Sequence, residues 1–173
     1  MAYTSSQVVQ AVPTGINSAL VFISSTTASS TSFTISNCFS ATYDNYLIEI
    51  GNVTTAASPG KFRLRFGSGT AHAFNLQYIS YAGANYGNDS NASSGNFINL
   101  DAGFTTKGVT LNINSPFLTT PTTVGGLGQS NAEFYIIAGI ETSSTSFTDI
   151  TFSNTNAVNF TGGTVKIYGY ANS

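Results

Sequence analysis

One histidine, one cysteine and seven carboxylates are the groups in this 173-residue chain with the means for covalent or acid–base chemistry. A Ser–His–acid hydrolase would need His72 as its base. The surroundings of His72, Gly67-Ser68-Gly69-Thr70-Ala71-His72-Ala73-Phe74, read as a loop entering a strand, without the Gly-x-Ser-x-Gly elbow that presents a nucleophile. His72 is therefore expected in a loop or at the edge of a core. A glycosidase needs two facing carboxylates. Asp44, Glu49, Asp89, Asp101, Glu133, Glu141 and Asp149 are widely separated along the chain, and structural roles are expected for most of them. Asp44, at an expected strand entry, has the position of a turn residue. Cys38 sits in the strand-like run Phe33–Phe39 and reads as an inert buried thiol, because reactivity requires an electropositive neighbourhood. One Cys and one His fall short of the four N/S ligands of a structural zinc site. The segment Asn85–Asn91 is rich in oxygen donors but holds a single carboxylate, Asp89, where calcium loops recruit more. Gly125-Gly126-Leu127-Gly128 lacks the Lys-Ser/Thr sequel of a phosphate loop. The expectation is a protein that is not an enzyme and carries no metal and no cofactor.

Non-covalent recognition is bounded by composition. Charged residues make up 7% of the chain, against about 25% in an ordinary domain. Five basic residues at net charge −2 give no electrostatic track for nucleic acid. The hydrophobic share of 41%, with 13 Phe and 9 Tyr, is too high for a disordered chain. The longest apolar run, Ala19–Ile23, is far short of a membrane span, so no membrane partner is expected. Met1–Gln7 has neither the basic nor the apolar region of a signal peptide, which points to synthesis in a cytoplasm without export by an obvious route. Tyr78, Tyr81 and Tyr86 cluster before a polar loop and offer amphipathic rings for a glycan, although Trp is absent and tyrosines at period two also suit a core or an interface.

The elements that must position these residues are strands. No stretch carries a 3.6-residue apolar period, whereas period two recurs between Gly, Asn, Ser and Pro punctuation. Phe62, Leu64 and Phe66 alternate with Arg63 and Arg65. Tyr46, Ile48 and Ile50 oppose Glu49. Val109, Leu111 and Ile113 oppose Thr110 and Asn112, and Val165 and Ile167 oppose Lys166 and Tyr168. Phe134–Ile140 is apolar on both faces. Ser58-Pro59-Gly60 has turn chemistry, with Gly able to take a positive φ, and it makes residues 46–66 resemble a hairpin. Residues 83–95 and 115–131 read as long loops. Eight to ten short strands with two long excursions predict an all-β antiparallel β-sandwich of jelly-roll or Greek-key type over residues 20–173, with residues 1–19 as an extended N-terminal arm.

A sheet-rich exterior with so little charge needs an explanation, since monomeric β-proteins guard their edges with Lys, Pro and inward charges. Cover by sister subunits or a larger assembly supplies one, with Ser, Thr and Asn giving hydrogen bonds without the cost of burying charge. The segments Phe39-Ser40-Ala41-Thr42-Tyr43-Asp44-Asn45-Tyr46-Leu47-Ile48-Glu49-Ile50, Phe62-Arg63-Leu64-Arg65-Phe66 and Thr161-Gly162-Gly163-Thr164-Val165-Lys166-Ile167-Tyr168-Gly169-Tyr170 give the chain its resemblance to small virion proteins of tailed bacteriophages, whose modules serve as capsid decoration (cement) proteins or in tail fibres. The resemblance implies a jelly-roll-like β-sandwich that assembles as a homotrimer on the outer surface of the phage head, made in the cytoplasm of the bacterial host, with the major capsid protein as partner. On that reading Val8, Val9 and Val12 of the arm and Pro116, Phe117 and Leu118 of the second loop contact the capsid, and Tyr135 and Ile137 form a subunit interface. In the tail-fibre or tail-tip alternative, Tyr81 and Tyr86 bind host surface glycans.

Overall fold

The computed structural model describes residues 19–58, 60–82, 86–101 and 106–172, apart from the side chains of 92–94 and 106–107. Twelve strands follow one another in the described residues: β1 (Leu20–Thr27), β2 (Ser32–Ile35), β3 (Asn45–Thr55), β4 (Phe62–Phe66), β5 (His72–Ser80), β6 (Tyr86–Gly95), β7 (Ile98–Asn99), β8 (Thr106–Asn114), β9 (Thr122–Ser130), β10 (Glu133–Glu141), β11 (Ile150–Asn154) and β12 (Phe160–Tyr170). The fold is all-β with two antiparallel sheets, consistent with a β-sandwich. The large sheet has the order β1-β12-β3-β8-β9-β10-β5-β6 and the small one β2-β11-β4-β7.

Alternation decides which side chains meet between the sheets, because successive residues of a strand point to opposite faces. In β4, Phe62, Leu64 and Phe66 are buried while Arg63 and Arg65 lie on the other side. In β3, Tyr46, Ile48 and Ile50 turn inward, in register with Ile113, Leu111 and Val109 of β8. The two layers meet through aromatic rings. Phe152 of β11 stacks on Phe33 at 5.4 Å and on Phe62 at 5.7 Å, and Phe160 from the large sheet stands edge-on to both of those neighbours. Phe39 meets Tyr46 edge-on at 4.8 Å, and the Tyr46 hydroxyl donates to the Ser40 carbonyl while accepting from the Ser40 amide. Full burial of each such side chain contributes about 1.5–3 kcal/mol.

Three expectations change. Residues 46–66 do not form a hairpin: β3 pairs with β12 and β8 in the large sheet, while β4 pairs with β11 and β7 in the small one. The connection between them crosses from one layer to the other. It does carry the expected positive φ at Gly60 (φ 63), where a Cβ would run into Thr155; Pro59 lies outside the described residues. The Asn/Ser/Gly segment expected as a loop over 83–95 contains an edge strand, β6. The segment expected as a loop over 115–131 is a loop only to residue 121, and Thr122–Ser130 is an interior strand of the large sheet. Glycine is tolerated there because the neighbours fill its space. A Cβ at Gly126 would collide with the Thr110 carbonyl and Leu111, and Gly128 lies against Val109 and Tyr135.

Candidate functional site

His72 and Glu141 begin and end their strands, and the antiparallel register of β5 with β10 sets them opposite each other. Both are fully buried, with His72 Nδ1 2.9 Å from Glu141 Oε2. The arrangement has the first two members of a hydrolytic triad, but its far nitrogen is committed. The Phe66 amide donates to His72 Nε2 at 3.3 Å, and the Phe66 ring stacks on the imidazole. That geometry fixes the neutral tautomer with the proton on Nδ1. Burial is the main cause that lowers the His72 pKa, partly opposed by the Glu141 charge. Glu141 also accepts from the Ala71 and Ser143 amides, so it ties the loops at this end of both strands. His72 is thus the core-edge residue expected, holding backbone in place. Cys38 is buried and donates to the Ile35 carbonyl, and burial pushes its thiol pKa up to about 12. No group of three or more His, Cys, Asp or Glu side chains suited to a metal occurs among the described residues.

The outer face of the large sheet is a more distinctive surface. Cross-strand register there aligns Tyr86 with Ile79, Ile79 with Phe134, and Leu127 with Ile136. Tyr86 is 78% exposed, Tyr81 58%, Leu127 53%, Ile136 44% and Ile79 43%. These side chains gather at one corner, spanning β6, β5, β10 and β9. A concavity of about 390 Å³ lies among Tyr78, Ile79, Tyr86, Phe134 and Ile136, with Gln77 and Asn88 adding amides. A second concavity, of about 550 Å³, crosses the middle of the same face. Its floor is the in-register pair Gly51 and Gly108, with open space above Gly51 where a side chain would stand. Phe134, Leu127 and Gln129 wall it on one side and Glu49, Thr164 and Lys166 on the other.

The residues singled out from the sequence fall in separate places. Tyr81 and Tyr86 lie at the exposed corner. Tyr135 and Ile137 are buried inside the protomer, which leaves the opposite face of β10, with Phe134, Ile136 and Ala138, turned outward. Pro116 is buried, Phe117 is half-buried against the core, and Leu118 is exposed. The Pro116 carbonyl accepts from the Phe147 amide, which pins this loop to the body of the fold. Val8, Val9 and Val12 lie outside the described residues. Sequence reasoning missed Ile79, Leu127, Phe134 and Ile136 as surface residues; the signal was the second apolar face of Phe134–Ile140.

Comparison with protein-family models, with curated proteins and with solved structures finds no match to this chain.

Proposed function

We propose that the protein is a non-enzymatic structural component of a phage virion, a homotrimeric cement protein that sits on the outer surface of the head and binds the major capsid protein. The observation that carries this reading is the apolar corner formed by Ile79, Tyr86, Leu127, Phe134 and Ile136, whose concavity is lined by no charged side chain among the described residues. Covering the wet part of each large side chain contributes about 1 kcal/mol, enough in sum to hold a protein–protein contact. A jelly-roll topology suits the same reading. It is supported by the repeated passage of the chain between layers, from β1 to β2 to β3, from β3 to β4 to β5, and from β10 to β11 to β12.

The test joins two measurements, native mass in solution and co-sedimentation with expanded phage heads. Trimers that bind heads are expected. The double variant Leu127→Lys/Ile136→Lys should keep its thermal midpoint and lose the assembly, and deletion of residues 1–12 should leave a trimer that no longer binds heads. A protein that stays monomeric at high concentration and ignores heads overturns the reading.

A second reading, a tail-tip module for host glycans, draws on the exposure of Tyr81 and Tyr86 and on the amides of Gln77 and Asn88 at the neighbouring concavity. Neutral amides beside an aromatic ring suit a sugar's hydroxyls and its apolar face. Binding of a neutral oligosaccharide, lost in Tyr86→Ala, is the result that would favour it.

A further inference from the structure

Three of the chain's five basic residues, Lys61, Arg63 and Arg65, fall within five positions of β4 and its approach. Alternation places both arginines on the outer side of the small sheet. Their guanidiniums share one aromatic support: the Arg63 carbon lies 3.8 Å and the Arg65 carbon 5.2 Å from the centre of the Phe97 ring. Two like charges held this close repel each other, and burial together with the Arg65 charge lowers the Arg63 pKa. The nearby carboxylates are already engaged, Asp101 with the Phe62 amide at 2.8 Å. Asp89, reaching across from β6, takes the Lys61 ammonium at 2.9 Å and the Asn99 amide at 2.8 Å. Among the described residues, which include all seven acids, neither guanidinium has a carboxylate partner. Arg63 Nε donates to the Ser153 hydroxyl, whereas Arg65 Nε is buried without an acceptor. Lys61, Arg63 and Arg65 outnumber the carboxylates Asp89 and Asp101 around β4, a local positive excess on a chain whose net charge is −2.

Lys61 and Arg63 line a cleft of about 790 Å³ between β6, at the edge of the large sheet, and β4 with β7 in the small one, and Arg65 stands against the Phe97 ring that walls it. Besides Lys61, Arg63, Phe74 and Phe97, its walls are neutral, with Ser90, Asn96 and Thr155 among them. A guanidinium pair selects an oxyanion, which accepts two parallel N–H bonds and quenches the repulsion. Neutral amides and hydroxyls around it select a body covered with hydroxyl groups. The positive stretch is confined to one short strand, too little for a nucleic-acid backbone.

We propose that this cleft binds an acidic sugar, whose carboxylate or sulfate group is held by Arg63 and Arg65 and whose hydroxyls meet the side chains of Ser90, Asn96 and Thr155. The site is distinct from the apolar corner and stands independently of any role in a virion. The test is an NMR titration of the intact protein, following the arginine Nε–H signals with glucuronic acid, glucose 6-sulfate, neutral glucose and inorganic sulfate. The acidic sugars should shift both signals to saturation, more weakly at high salt, and Arg63→Gln and Arg65→Gln should each weaken binding by about tenfold or more. Glucose alone should leave the signals unmoved, and inorganic sulfate should bind more weakly than the sugar sulfate. Should Arg63→Gln fail to fold, the wild-type Arg65 signal reads the same contact. Silence from both acidic sugars, glucose binding as well as they do, sulfate binding as tightly as glucose 6-sulfate, or full affinity in folded arginine variants would each overturn the proposal.

Discussion

Replacing Glu141 by Ala removes the acceptor for three donors in one step. Oε2 takes the His72 Nδ1 proton at 2.9 Å and the Ala71 amide at 3.2 Å, and Oε1 takes the Ser143 amide at 3.1 Å. His72 keeps a fallback in the Gly95 carbonyl at 3.2 Å. The two amides lose a partner in a buried or half-buried setting, at about 1–3 kcal/mol each. Together with the lost charge-assisted hydrogen bond from the neutral imidazole, a cost of about 3–5 kcal/mol follows. For a chain of this length that lowers the thermal midpoint by on the order of 10 °C. Glu141→Gln keeps an acceptor and most of the volume, so about half of the loss should return. Acid adds a second readout. The His72 pKa is lowered in the folded state, so the unfolded chain takes up a proton first as the pH falls below about 6.5. The contribution of neutral His72 is therefore whole above that pH and declines below it, by about 1.4 kcal/mol per pH unit at most. In Glu141→Ala the carboxylate that favoured the imidazolium is gone, so the decline should continue to lower pH than in the wild type. Urea titrations at pH 7 and pH 5 measure both effects. A penalty below about 1 kcal/mol at pH 7, or the same acid sensitivity in variant and parent, would refute the account.

Neighbouring glycines in β9 should respond in opposite ways. Gly126→Ala drives a methyl into the Thr110 backbone and should destabilise by about 1–3 kcal/mol, while Gly125→Ala points into open space and should be neutral or gain about 0.4–1 kcal/mol; chemical denaturation of both variants is the check. Cys38, with its thiol pKa raised to about 12, should resist iodoacetamide at pH 8 in the native protein and react promptly in urea, as read by mass spectrometry.

What the sequence revealed, and what it hid, follows from how each strand is used. β3, β4 and β8 bury one side only, so their alternation placed Tyr46, Leu64 and Leu111 inside without ambiguity. β6 and β9 escaped notice because Asn, Ser and Gly are poor strand formers, and pairing with better strands on either side outweighs that preference in β9. The inward face of β10 carries Glu133 and Glu141 at its ends, in phase with Tyr135 and Ile137. Carboxylates ordinarily mark a solvent face, so these ends obscure which of the two apolar faces of β10 is buried. The pairing of Glu141 with His72, 69 positions earlier, and with the Ala71 and Ser143 amides explains its burial. The cluster on β4 was visible as Phe62-Arg63-Leu64-Arg65-Phe66, but Phe97 and Asp89 come from distant segments that no local pattern connects to it.

The position of β12 constrains how the molecule is born. It is the second strand of the large sheet, wedged between β1 and β3, and β11 is similarly wedged between β2 and β4 in the small one. On the ribosome the earliest strands therefore emerge long before the partners that complete them. Until residues 150–170 leave the exit tunnel, β1 and β3 have bare flanks open to any passing extended chain, and chaperone attendance should persist until that segment has emerged.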